Sequence, residues 1–116
     1  MRKGHMTQVV TVPKSEWSPF FNRLSKALLG KSAEIEVVSL DLRDQVIAEW
    51  IPMIGITYEE GNDLLDVSLD RANHLIHHPR EVLAEEGSTG LTSISVIAED
   101  GANQIVRLKE PLMLPP

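Results

Sequence analysis

The stretch SEWSPFFNRLSKALLGKSAEIEV, Ser15 to Val37, decides the fold, because the period of its apolar residues changes partway along it. Trp17, Phe20, Phe21, Leu24 and Leu28 recur at helical spacing and form one face. Asn22, Arg23 and Lys26 fall on the other side. The pattern predicts a helix over Ser15–Leu29. Ser15 or Ser18 is its expected N-cap, Pro19 is tolerated in its first turn, and Gly30 supplies the left-handed stop. From Ala33 the period becomes two: Ile35 and Val37 face inward, Glu34 and Glu36 outward.

Upstream, Thr7 to Val12 is short and β-branched and reads as an edge strand closed by Pro13. Downstream, alternation persists to the end of the chain. Val38 and Leu40 switch face, and Asp41–Asp44 is polar and turn-like. Gln45–Ile51 is a strand with Val46, Ala48 and Trp50 on one face, ended by Pro52. Ile54, Ile56 and Tyr58 alternate again, with Gly55 marking a bulge or a close backbone approach. Glu59–Asp63 is a loop, and Leu65, Val67 and Leu69 return from it. Asp70 is placed to cap a short helix or turn over Arg71–His78, closed by Pro79. Glu81–Glu85, Ile94–Ala98 and Gln104–Lys109 are strands. Gly87–Gly90 is a loop, and Asp100-Gly101 is the strongest hairpin signal. The prolines of Pro111–Pro116 argue against a central strand there.

The expected architecture is α+β: one long N-terminal helix packed on a mostly antiparallel, curved sheet of about six or seven strands. A half-open β-barrel with a helix is the alternative. Residues 1–6 read as a leader, vector-derived or disordered, because Gly4-His5-Met6 has the look of a cloning-site remnant. Residues 7–116 then form one globular domain.

The 116 residues contain no cysteine and carry a formal charge of −6, or −8 without Arg2 and Lys3. Disulfides, thiolate metal sites and thiol nucleophiles are excluded. An acidic surface without a basic cluster argues against nucleic-acid binding, and no apolar run suits a membrane span. A cytoplasmic protein is expected.

Three histidines carry the first candidate chemistry. On a helical turn His74 shares a face with His77 or His78, so the group could hold a metal, with Asp70 the nearest acid. The bland alternative is a polar turn anchored by Leu75 and Ile76. The acidic loop Glu59, Glu60, Asp63 and Asp66 lacks the spacing of an EF-hand. No G-x-S-x-G, G-x-G-x-x-G or phosphate loop is present, so no catalytic residue and no cofactor are assigned. Trp50, Tyr58 and Arg80 are candidates to line a cleft. At the C-terminus Leu112, Met113 and Leu114 are too apolar for a free tail. They either pack on their own domain or dock on a partner, including a second copy through exchanged tails or edge strands.

The chain resembles a small bacterial family, domain of unknown function 5335, from about Thr7 to Pro115. The likeness is carried by Glu16-Trp17, Phe20-Phe21, Arg23, Ala33–Val37, Trp50-Ile51-Pro52 and Gly55–Tyr58. It continues through His74-Leu75-Ile76, His78-Pro79-Arg80, Gly90-Leu91 and Gln104–Leu108. The resemblance implies a bacterial, stand-alone domain and assigns no activity. The residues themselves point to an interaction module, expected to be non-enzymatic and homo-oligomeric. A small-ligand or metal-binding protein built on the His74–His78 turn is the alternative.

Overall fold

The computed structural model describes residues 7–39 and 45–113. The leader over 1–6, the turn at Asp41–Asp44 and Leu114 lie outside them. β1 (Gln8–Thr11) leads through a 3-10 turn (Lys14–Glu16) into α1 (Trp17–Leu28). Seven strands follow: β2 (Ser32–Val38), β3 (Gln45–Glu59), β4 (Leu64–Leu69), β5 (Ala72–His77), β6 (Pro79–Gly87), β7 (Gly90–Ala98) and β8 (Asn103–Leu112). They form one antiparallel sheet in the order β1-β6-β7-β8-β2-β3-β4-β5. Two meanders, β2 to β5 and β6 to β8, are joined by the β2–β8 ladder, and β1 adds to the far side of β6. The α+β class is as expected. Among the described residues the sheet is not closed, and it has eight strands rather than six or seven.

The helix is shorter than expected. α1 has 12 residues, about 18 Å at 1.5 Å per residue. Ser15 is spent in the tighter 3-10 turn, and neither Ser15 nor Ser18 caps: the N-cap position is Glu16, without a side-chain hydrogen bond. Gly30 stops the helix at φ +82°, as its position predicts. The predicted face is buried: Trp17, Phe20, Phe21, Leu24 and Leu28 all enter the core.

The extra strand is β5, where a helix or turn is expected over Arg71–His78. Leu69 pairs with Ala72 across a two-residue turn, Asp70-Arg71, and Leu65 with Ile76. Arg71 takes φ +82° to close this hairpin. A cross-strand partner of matching alternation wins over local helix signals here.

β3 runs through Pro52 instead of ending there. Pro52 sits where β3 changes neighbour: β2 pairs as far as Pro52, and β4 takes over at Met53. A missing N–H is tolerated at such a handover. Two register shifts against β2 bulge the first half of β3, and Trp50 takes φ +51°. The period-two face therefore fails: Ala48 is buried, but Val46 and Trp50 are exposed. A further shift between Met53 and Gly55 turns Ile54 outward and Met53, Ile56 and Tyr58 inward.

That bulge is served by the helix. Ser25 Oγ donates to the Ile56 carbonyl at 2.6 Å and accepts from the Ile56 N–H at 2.8 Å. Just before it, Gly30 N–H donates to Met53 O and Met53 N–H to Lys31 O. So where β2 runs out, the end of α1 takes over the flank of β3. Gly55 lets the two approach, since a Cβ there would lie 3.3 Å from Ser25 Oγ. Trp17 meets Tyr58 edge-to-face at 5.0 Å and donates its indole N–H to Val12 O at 2.9 Å.

The C-terminal prediction needs one correction. Pro111 and Leu112 belong to β8, a strand inside the sheet. Pro111 is accommodated because the β7–β8 ladder skips there: Ser93 faces Arg107, and the next pair is Leu91 with Leu112.

Candidate functional site

The four metal candidates divide. In a strand, residues three apart face opposite ways, so His74 and His77 cannot meet as they would on a helix. His74 shares the inner face with Ile76 and contacts the Gln104 side chain of β8. β5 and β8 are separated in the sheet by three strands, so this contact shows how far the sheet curls. His77 lies on the outer face. His78, at φ +52°, forms the corner into β6. Among the described residues no three His, Cys, Asp or Glu side chains are placed to hold a metal ion.

Asp70 and His74 do come together. Both line a groove of about 120 Å³ between the bulged half of β3 and the tip of the β4–β5 hairpin. Ile47, Ala48 and Ile51 form one wall, and Leu69, Ala72 and Asn73 the other. The hairpin tip is fixed there by Asp70 N–H donating to Pro52 O at 2.9 Å. Ile47, 52% exposed, stands at the lip, beside exposed Val46 on the same strand. Groove and lip exist because bulging pushes residues of β3 out of the alternation. The apolar character of Ile47 and Ile51 is plain in the sequence, but their exposure is not.

His78 belongs to a second cluster. Its ring Nδ1 lies 3.2 Å from Asp63 Oδ2, and its backbone N–H donates to the Asp63 carbonyl at 2.9 Å. Tyr58 donates its hydroxyl to Asp63 Oδ1 at 2.8 Å. The Tyr58 donor, joined by His78 and the nearby Lys14 charge, holds the Asp63 carboxyl below its ordinary range. Burial, with the Asp63 and Glu60 charges beside it, pushes the Tyr58 phenol up to about 12. A neutral phenol and an ionised carboxylate form a clasp that ties the β3–β4 turn to the β5–β6 corner. The other loop acids go elsewhere: Glu59 accepts from Asn62, and Asp66 accepts from Asn73 and Ser68.

Among the described residues Trp50, Tyr58 and Arg80 do not come together in one cleft. Trp50 is on the exposed side of β3, Tyr58 is packed on Trp17, and Arg80 lines a separate groove with Glu81 and Glu99. In the tail Leu112 is buried, whereas Met113 is 74% exposed.

The model of a family of unknown function, DUF5335, matches residues 8–116. An "Uncharacterized protein" of Aquifex aeolicus (strain VF5) is 34% identical over 105 residues, covering 90% of this chain and 95% of that protein. No solved structure matches. No helix of the described residues is long and apolar enough to cross a membrane.

Proposed function

The chain belongs to the DUF5335 family of unknown function, and from that premise we propose that it is an interaction module rather than an enzyme. It captures one apolar side chain of a partner protein in the groove between β3 and the β4–β5 hairpin. The observation that carries this reading is the size and lining of the groove. Pockets for small molecules run to roughly 300–1,000 Å³. About 120 Å³ is nearer the ~150 Å³ that takes a benzene-sized group, and so suits a single Leu, Met or Phe. Exposed Ile47 at the lip and Val46 beside it add apolar area around such an anchor. His74, engaged with Gln104, and Asp70 supply a polar rim. In the tail, buried Leu112 anchors the strand end and leaves Met113 free to contact a partner, with Leu114 following it. A bacterial protein agrees with the Aquifex relative.

A random-peptide selection against the purified protein tests this. Enriched peptides are expected to share a Leu, Met or Phe anchor. Ile47→Glu, or Ala72→Phe at an exposed position of the groove wall, should weaken them by about tenfold or more. Neither change should move the melting temperature appreciably. Peptides that bind both variants as well as the parent would place recognition elsewhere and end this reading.

A further inference from the structure

We infer that β1 is a self-pairing edge: two copies join their β1 strands antiparallel about a two-fold axis at Val10. This surface lies at the end of the sheet, apart from the groove.

The hydrogen-bond phase of β1 sets the geometry. Val12 N–H donates to Val82 O at 2.9 Å, so Val12 is a position that turns toward β6. In an antiparallel ladder alternate residues turn the same way. Val10 and Gln8 therefore also face β6, opposite Ala84 and Glu86. Val9 and Thr11 turn their N–H and C=O groups outward, away from the sheet. Two outward residues, two apart, are self-complementary. An antiparallel copy centred on Val10 sets Val9 against the partner's Thr11, and Thr11 against the partner's Val9. Each pair can exchange two hydrogen bonds.

Charge favours a second copy as the partner. The chain carries −6 overall, so two copies have like net charge and repel each other at long range. Thr7 to Val12 contains no charged residue, and the symmetric register sets this uncharged row against itself. Within its four residues β1 carries no charge, proline or bulge of the kind that blunts an edge. Its four residues pair with β6 in unbroken register and are all exposed, Val9 by 60%. The opposite edge differs: β5 curls toward β8, and His74 reaches Gln104.

The cysteine-free sequence makes a clean test. Across the proposed axis the two Val10 residues form a non-hydrogen-bonded pair, with Cα atoms ~4.5 Å apart. That separation suits a disulfide. Val10→Cys should oxidise to a covalent dimer at least about tenfold faster than Leu75→Cys, an exposed control on β5. Sedimentation between about 1 μM and 1 mM should show the parent in concentration-dependent dimerisation. Val9→Pro should abolish it, because that substitution removes an outward N–H and leaves the β6 ladder intact. Ile47→Glu should leave dimerisation unchanged. Equal oxidation rates for the two cysteines would overturn the inference. So would a parent that stays monomeric at ~1 mM, or dimerisation that survives Val9→Pro. Loss of the dimer on Ile47→Glu alone would assign association to the groove and reject the β1 axis.

Discussion

The two halves of β3 are alike in composition and opposite in fate. Residues 45–52 include Val46, Ile47, Trp50 and Ile51, yet only Ala48 of this half is buried. Residues 53–59 bury Met53, Ile56 and Tyr58. What separates them is the neighbour. The first half lies against β2 with two bulges, whereas the second lies against α1, whose Ser25 and Trp17 reach Ile56 and Tyr58. Alternation tells which residues are apolar. Cover tells which of them become core, and cover is decided by a helix more than twenty residues earlier in the chain.

The comparison breaks most visibly at Ile56. Ile56→Ala should cost about 2–5 kcal/mol in urea unfolding, as for other fully buried large-to-small changes. Ile47→Ala, on the uncovered half, should stay within about 0.5 kcal/mol. Comparable losses at the two positions would mean that the halves share one environment.

Ser25→Ala is the next effect in size. It should destabilise by roughly 1–3 kcal/mol, the cost of leaving a sheltered N–H and C=O without their partner. Hydrogen exchange should locate the loss, with the Ile56 amide becoming less protected while the amides of β6 and β7 hold. A neutral outcome would show that water serves the bulge as well as the helix does.

The smallest effect is at the far end of the covered half. Tyr58→Phe should cost about 1 kcal/mol near neutral pH. It should also change the acid limb of the stability curve. Asp63 is held below its ordinary range chiefly by the Tyr58 hydroxyl, so its stabilisation is full above its ordinary value. It disappears as pH falls through the lowered one. Without the hydroxyl the folded and unfolded values draw together, and stability should fall less steeply as pH drops through and below the ordinary carboxylate range. An unchanged acid limb in circular dichroism would separate Asp63 from Tyr58.

Much of this fold can be read from residues alone. The helix face from Trp17 to Leu28, the stop at Gly30, the edge strand near Val9 and the Asp100-Gly101 hairpin each follow from local chemistry. The bulge at Gly55 is also legible, because glycine inside a strand pattern needs a reason. Residues shaped by distant partners are not. His74, Leu75 and Ile76 become β5 because β4 offers a matching ladder, and Pro52 stays within β3 because its neighbour changes there. For the candidate site the residues are half legible. Asp70 and His74 share a groove, but from a hairpin turn and the strand after it, and with Ile47 and Ile51 instead of further histidines. A register shift leaves no mark on composition, so the groove could not be seen before the ladder was.

The β2–β8 ladder has a consequence for synthesis. It pairs Ala33 with Leu108 and Val38 with Asn103, joining segments made early and late. Every connection within the two meanders is local, but the join between them must wait. While the ribosome is still adding residues 79–102, β2 has one side unpaired and β1 has only an incomplete neighbour. Long-range β pairing is slow and leaves open edges while it is pending. The nascent chain thus passes through a stage in which two half-sheets coexist without a common centre. Only when residues 103–112 emerge can they become one sheet.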